Sequence, residues 1–165
     1  MNDLARVLVA GVGNVFLGDD GFGVEVARRL AQGPLPPGVE VADIGIRGVH
    51  LAYQLLEGYD LLILVDAVAR DGPPGTVFVI EPDPRTLAHD LDAHGFDPSS
   101  VLELARALGT DLPRVLLVGC VPESTEEHLG LSPPVERAVD EAVRLVTRFV
   151  TGPISEEHTW SLESF

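Results

Sequence analysis

Three short segments of this chain are apolar almost from end to end: VLVAGV at residues 7–12, LLILV at 61–65 and VLLVGC at 115–120. A strand with one wet face alternates apolar and polar side chains, so runs without alternation belong to strands covered on both faces. Such strands need a layer of helices above and below, and the intervening segments supply them. Residues 22–31 place Val24, Ala27 and Leu30 on one face of a helix that GPLPPG then ends. Residues 39–44 read as a second strand and 49–56 as a short helix. After GPPG, residues 76–80 (TVFVI) form a fourth strand. The link from the third strand, which spans 61–66, is too short for a crossover helix, so the fourth runs antiparallel at an edge. Residues 99–108 form a helix with two serines at its cap. Residues 135–150 carry the longest apolar stripe, Val135, Ala138, Val139, Ala142, Val143, Val146, Phe149 and Val150, with arginines and acids opposite. The expected fold is a three-layer α/β/α domain around a five-stranded, mostly parallel twisted sheet with one antiparallel edge strand.

At 165 residues, 45% of them apolar, the chain suits one globular domain over residues 1–152, followed by a flexible acidic tail at 153–165 that contains Trp160. The single cysteine, Cys120, allows no internal disulfide and suits a reducing compartment. The N-terminal segment reads as a first strand rather than a signal peptide, and no apolar run approaches the roughly 20 residues that span a bilayer. A cytoplasmic monomer, away from membranes, is expected. Asp and Glu number 26 against 11 basic residues, a net charge of −15, and every basic residue is arginine. That field repels phosphate backbones and excludes nucleic acid as the main partner. The absence of lysine removes Schiff-base chemistry and the lysine of a P-loop.

In open parallel sheets ligands collect at the carboxyl ends of the strands, where the strand order reverses. Asn14, Asp19 and Asp20 follow the first strand there, Asp43 the second, Asp66 the third, and Cys120 with Glu123 the fifth. Each acid taken singly is more often a cap or a turn former. Several on one rim are costly unless a cation or a proton relieves them. The stretch GVGNVFLGDDGFG invites a nucleotide reading, with Asp43 placed for a ribose. However, Phe16 stands where the dinucleotide fingerprint wants a glycine, and paired acids repel pyrophosphate. A metal suits the rim better. Asp20 and Asp66, from neighbouring strand ends, with one of five histidines (His50, His89, His94, His128, His158), would hold nickel, zinc or manganese with open positions. His94 immediately precedes a helix, and topology alone leaves open which end of the sheet it occupies. Cys120, at the end of a buried strand, reads as a small core residue rather than a nucleophile.

Four segments, GVGNVFLGDDGFGVEVARRL, LVDAV with GPPGTVFVI, HGFDPSSVLELARALG and VLLVGCVPESTEEHLGLSPPVERAV, resemble the hydrogenase maturation proteases in the same order, over residues 7–150. The resemblance implies a five-stranded α/β fold and a metal-contacting triad on Asp20, Asp66 and His94. It also implies an endopeptidase that carries no metal of its own. Such an enzyme recognises nickel already loaded into the large-subunit precursor of a nickel-iron hydrogenase, then removes that precursor's C-terminal extension. Asp20 is one methylene shorter than the glutamate of some members. DIGIRG, around Asp43, departs from the small residues more usual there. Arg47 in that loop is either solvated or reads a substrate carboxylate, Asp43 is an additional candidate acid, and Asn14 is a candidate for orienting the first loop. A nickel-checkpoint chaperone that does not cut, and a nucleotide-binding Rossmann-like protein, are the alternative functions.

Overall fold

The computed structural model describes residues 5–82 and 98–152. Its strands are β1 (Val7–Val12), β2 (Val39–Gly45), β3 (Leu61–Ala67), β4 (Val77–Ile80) and β5 (Arg114–Cys120). Its helices are α1 (Phe22–Gln32), α2 (Gly48–Leu55), α3 (Pro98–Ala107) and α4 (Pro133–Thr151). The five strands lie in the order β2-β1-β3-β5-β4, the first four parallel and β4 antiparallel at the edge, as the short β3–β4 link requires. Phe78 of β4 lies so close over Gly119 of β5 that a Cβ there would meet its ring at 2.3 Å, which sets glycine opposite the aromatic. Among the described residues no helix is long and apolar enough to cross a membrane.

Side chains alternate across the sheet and build a core on each face. Leu8, Ala10, Leu62 and Leu64 pack with Leu51 and Leu55 of α2 and with Val101 and Leu102 of α3. Val7, Val9, Ile63, Val65 and Val118 pack with Phe22 and Val26 of α1 and with Val135, Val139, Ala142 and Val146 of α4. The apolar stripe of α4 is therefore spent on the sheet. Its polar side meets α1 through Arg29, which contacts Glu25 at 3.3 Å, Asp140 at 2.8 Å and Glu136.

Element ends differ from the sequence reading in ways that local chemistry explains. Helix α3 starts at Pro98, whose fixed φ suits the first helical position, so Ser99 and Ser100 lie inside its first turn instead of capping it. Helix α4 likewise opens on Pro133 and Pro134. Between β1 and α1 the chain adds a buried 3-10 turn, Gly18–Gly21, that hydrophobic periodicity does not reveal.

Helix α1 sits unusually near the sheet because Gly11 and Gly23 meet there. A Cβ on Gly23 would lie 1.9 Å from the Val65 carbonyl oxygen and 2.5 Å from that of Val12. A Cβ on Gly11 would lie 2.2 Å from the Gly23 oxygen. Backbone rather than side chains forms this contact, so nothing there can rotate aside. Gly23→Ala is expected to lower unfolding free energy by roughly 3 kcal/mol, an overpacking cost. Urea denaturation measures it, and a change below about 0.5 kcal/mol would contradict the close packing.

Candidate active site

Strand order reverses between β1 and β3: the chain leaves β1 for β2 on one side and reaches β3 on the other. The carboxyl ends of β1 and β3 therefore border a crevice. Gly13 turns the chain out of β1 at φ +124°, a conformation that favours glycine, while its N–H donates to the Gly45 carbonyl at the end of β2 (3.0 Å). A Cβ at Gly13 would strike the Asp20 carbonyl oxygen at 2.0 Å and approach Asp66 Oδ1 at 3.3 Å. The second glycine of GVGNVFLGDDGFG thus lets the Asp20 backbone close down beside Asp66, where two acids come together.

The Asn14 N–H donates to Asp20 Oδ2 at 2.8 Å, and Asn14 Oδ1 accepts from the Phe16 N–H at 2.9 Å. Asn14 accordingly orients its loop from both ends: its backbone holds Asp20 and its side chain folds the turn that carries Phe16. Asp20 itself is 7% exposed. Across the crevice, Asp66 is only partly buried as a residue, yet its Oδ1 is closed off from solvent and lacks a hydrogen-bond partner among the described residues. Burial first, and the neighbouring Asp20 charge second, hold the Asp66 carboxyl well above the ordinary aspartate range, although an Ala67 backbone N–H partly offsets them. A carboxyl shifted upward beside a second acid suits proton transfer, and a divalent cation would relieve the same repulsion.

The adjacent acid, Asp19, has a different task. It is 1% exposed and accepts four hydrogen bonds. Oδ2 takes the N–H groups of Glu123 (2.8 Å) and Ser124 (3.2 Å) and the Ser132 hydroxyl (2.8 Å), while Oδ1 takes the Ser132 N–H (2.7 Å). Ser132, at the head of α4, gives its hydroxyl to Asp19 instead of capping its own helix. Gly18 and Asp19 also donate backbone bonds to the His128 and Ser124 carbonyls, at 2.8 and 3.0 Å. The acidic rim read from the sequence therefore separates into parts. Asp19 is a structural tie, and Glu123 serves it through a backbone N–H. Only the tie's partners, far along the chain, distinguish it from Asp20.

Other rim residues point elsewhere. Asp43 faces Arg28 of α1 across 3.6 Å, both at half-exposed positions. Arg47 donates to the carbonyls of Asp43 and Ile44, so it fastens the end of β2 and is not simply solvated. Burial, then the nearby Asp19 and Glu141 charges, push the Cys120 thiol up to about 12, and the side chain packs in the core on the sheet face that meets α4. His50 and His128 are exposed. His89, His94 and His158, and Trp160 of the tail, lie outside the described residues. Among the described residues no three His, Cys, Asp or Glu side chains gather as a metal site, so Asp20 and Asp66 stand there as a pair.

The family model for hydrogenase maturation proteases matches residues 24–149. The hydrogenase 2 maturation protease of Escherichia coli is 35% identical over 145 residues, covering 86% of this chain and 88% of that protein. The hydrogenase expression/formation protein HupD of Rhodobacter capsulatus is 34% identical, over 96% of this chain and 74% of its own. Among solved structures, the hydrogenase maturating endopeptidase HybD from E. coli superposes with a TM-score of 0.78 at 34% identity, covering 88% of this chain and 92% of that one. The hydrogenase maturation protease HycI from Thermococcus kodakarensis gives a TM-score of 0.76 at 25% identity, over 92% and 96%.

Two outcomes follow from this geometry. Asp19→Ala strands several donors and is expected to cost roughly 3 kcal/mol of stability. Amide exchange should accelerate first at residues 123–132, and exchange that rises evenly over the chain would contradict the tie. For Asp66, the unfolded carboxyl ionises near 3.9 and the folded one above it, so the native protein binds more protons in that window and stability falls as pH rises. Asp66→Asn removes this penalty. The variant should melt higher than the parent at pH 7, with the gain shrinking towards pH 4, whereas parallel melting curves across that range would contradict the buried, proton-holding carboxyl.

Proposed function

The chain belongs to the hydrogenase maturation protease family, and from that premise we propose that it is the endopeptidase that trims the C-terminal extension from the nickel-loaded large-subunit precursor of a nickel-iron hydrogenase. The observation that carries this reading is the Asp20–Asp66 pair at the strand-order reversal, whose buried Asp66 Oδ1 has no hydrogen-bond partner among the described residues. Two neighbouring carboxylates, brought close because Gly13 carries no side chain, are an incomplete coordination shell. Such a shell suits a metal that arrives on the substrate, keeps ligands of its own and needs only a few more. His94 joins the pair on the strength of its motif, HGFD, and supplies an imidazole donor.

The mutual charge of the acids explains how an empty site and a filled one would differ. Without a cation, burial and then the Asp20 charge penalise ionisation of Asp66 and hold its carboxyl above the ordinary aspartate range. A nickel-bearing substrate favours the ionised form of both carboxylates and would relieve that penalty. Hydrolysis then adds one water across the scissile amide, leaving a new C-terminal carboxylate and a free amine on the released peptide. In this reading Asp20 and Asp66 anchor the ion, and with it the segment to be cut, at a fixed distance from the crevice. Fixing the substrate in this way accounts for a large part of such a rate enhancement. The nucleotide alternative draws no support from the site: Asp43 is engaged with Arg28, and Phe16 projects outward at the position where a third glycine would admit pyrophosphate.

The decisive assay incubates the purified protein with its cognate large-subunit precursor, with and without nickel, and reads the product mass. Loss of a C-terminal peptide from nickel-loaded precursor only is expected. Asp20→Ala, Asp66→Ala and His94→Ala should each reduce the rate at least about a hundredfold. An intact precursor that still binds in a nickel-dependent way would replace this reading with the checkpoint chaperone.

A further inference from the structure

The five most exposed large hydrophobic side chains among the described residues share one setting. Phe16 is 65% exposed, Leu129 68%, Ile46 57%, Val49 56% and Tyr53 58%, and all five stand on the segments that follow the carboxyl ends of β1, β2 and β5. Backbone contacts join these segments into one band. Val49 and Tyr53 are one turn apart on α2. Ile46 follows Gly45, whose carbonyl accepts from Gly13, and the Asn14 side chain folds the turn that holds Phe16 outward. The Phe16 carbonyl in turn accepts from the N–H of His128, next to Leu129, at 3.1 Å. The same Asn14 that holds Asp20 thus presents an aromatic ring to water at the rim of the site. Holding an aromatic ring in water is unfavourable, and exposed apolar side chains gathered on adjoining segments of a chain of net charge −15 are a mark of a contact surface.

We infer that Phe16, Leu129, Ile46, Val49 and Tyr53 form the docking surface for an apolar stretch of the polypeptide substrate next to the bond that is cut. This rests on the endopeptidase reading above and extends it: the metal fixes one point of the substrate, and the band fixes the direction of the chain leaving it. The occupant is a protein segment because the band is continuous with a site that accepts polypeptide, and its chemistry is apolar because no charged side chain of α2 stands between Val49 and Tyr53. The band contributes affinity and placement, and takes no part in moving protons.

The test compares the parent with Phe16→Ser/Leu129→Ser and Val49→Gln/Tyr53→Gln, measuring KM and kcat for cleavage of nickel-loaded precursor and the melting temperature of each protein. Each pair should raise KM roughly tenfold or more, since burying even one such side chain is worth about that much in affinity. Near-parental kcat and unchanged or higher melting temperatures are expected alongside. Parental KM in both variants, or a loss confined to kcat, would overturn the docking surface while leaving the endopeptidase reading intact. A parent protein that fails to cut nickel-loaded precursor would overturn the endopeptidase reading, and the docking surface with it.

Discussion

One buried carboxylate holds the functional end of this molecule together. Asp19 receives donors from Glu123, Ser124 and Ser132, and so binds the 3-10 turn after β1 to the loop after β5 and to the head of α4. A buried charge is tolerable only when its lone pairs are satisfied, and here four donors meet one group. The next residue, Asp20, inherits that rigidity. Its position relative to Asp66 follows from a tie whose ends are 113 residues apart in sequence, between Asp19 and Ser132. Adjacent acids therefore divide the work: one is fully partnered and inert, the other is aimed at the crevice.

The glycines complete this arrangement by what they omit. Gly11 and Gly23 let α1 press against the sheet, which draws the 3-10 turn down onto the ends of β1 and β3. Gly13 lets the Asp20 backbone carbonyl and the Asp66 carboxyl close in where a Cβ would stand. Packing that should favour a side chain instead gives way to backbone contact, and this close approach lies where two acids meet. Unfavourable charge proximity of this kind is typical of functional sites, where folding stability yields to readiness for a ligand.

Much of the fold was legible because its signals are periodic. The unbroken apolar runs of β1, β3 and β5 and the stripe of α4 each follow from burial on a single geometry, and the short β3–β4 link dictates an antiparallel edge. The site was legible in part. Glycine spacing and strand-end acids drew attention to Asp20 and Asp66, but nothing local separates Asp19 from Asp20, because what separates them is Ser132 and the loop before it. Asp43 was ambiguous for the same reason: its partner, Arg28, depends on how α1 meets the sheet edge. Arg47 was ambiguous because a side chain that turns back on carbonyls three and four residues earlier carries no pattern in the sequence. The 3-10 turn escaped because four residues of glycine and aspartate carry no hydrophobic period.

The central claim is that Asp20 and Asp66 take hold of a metal brought by the substrate. Nickel-edge X-ray absorption on the precursor, alone and freeze-quenched in complex with this protein, tests it without relying on turnover. The expected result is one or more added oxygen neighbours at roughly 2.0–2.2 Å on complex formation, lost in the Asp20→Ala and Asp66→Ala proteins. A nickel spectrum unchanged by a bound protein would contradict direct coordination and leave the two acids to some other task.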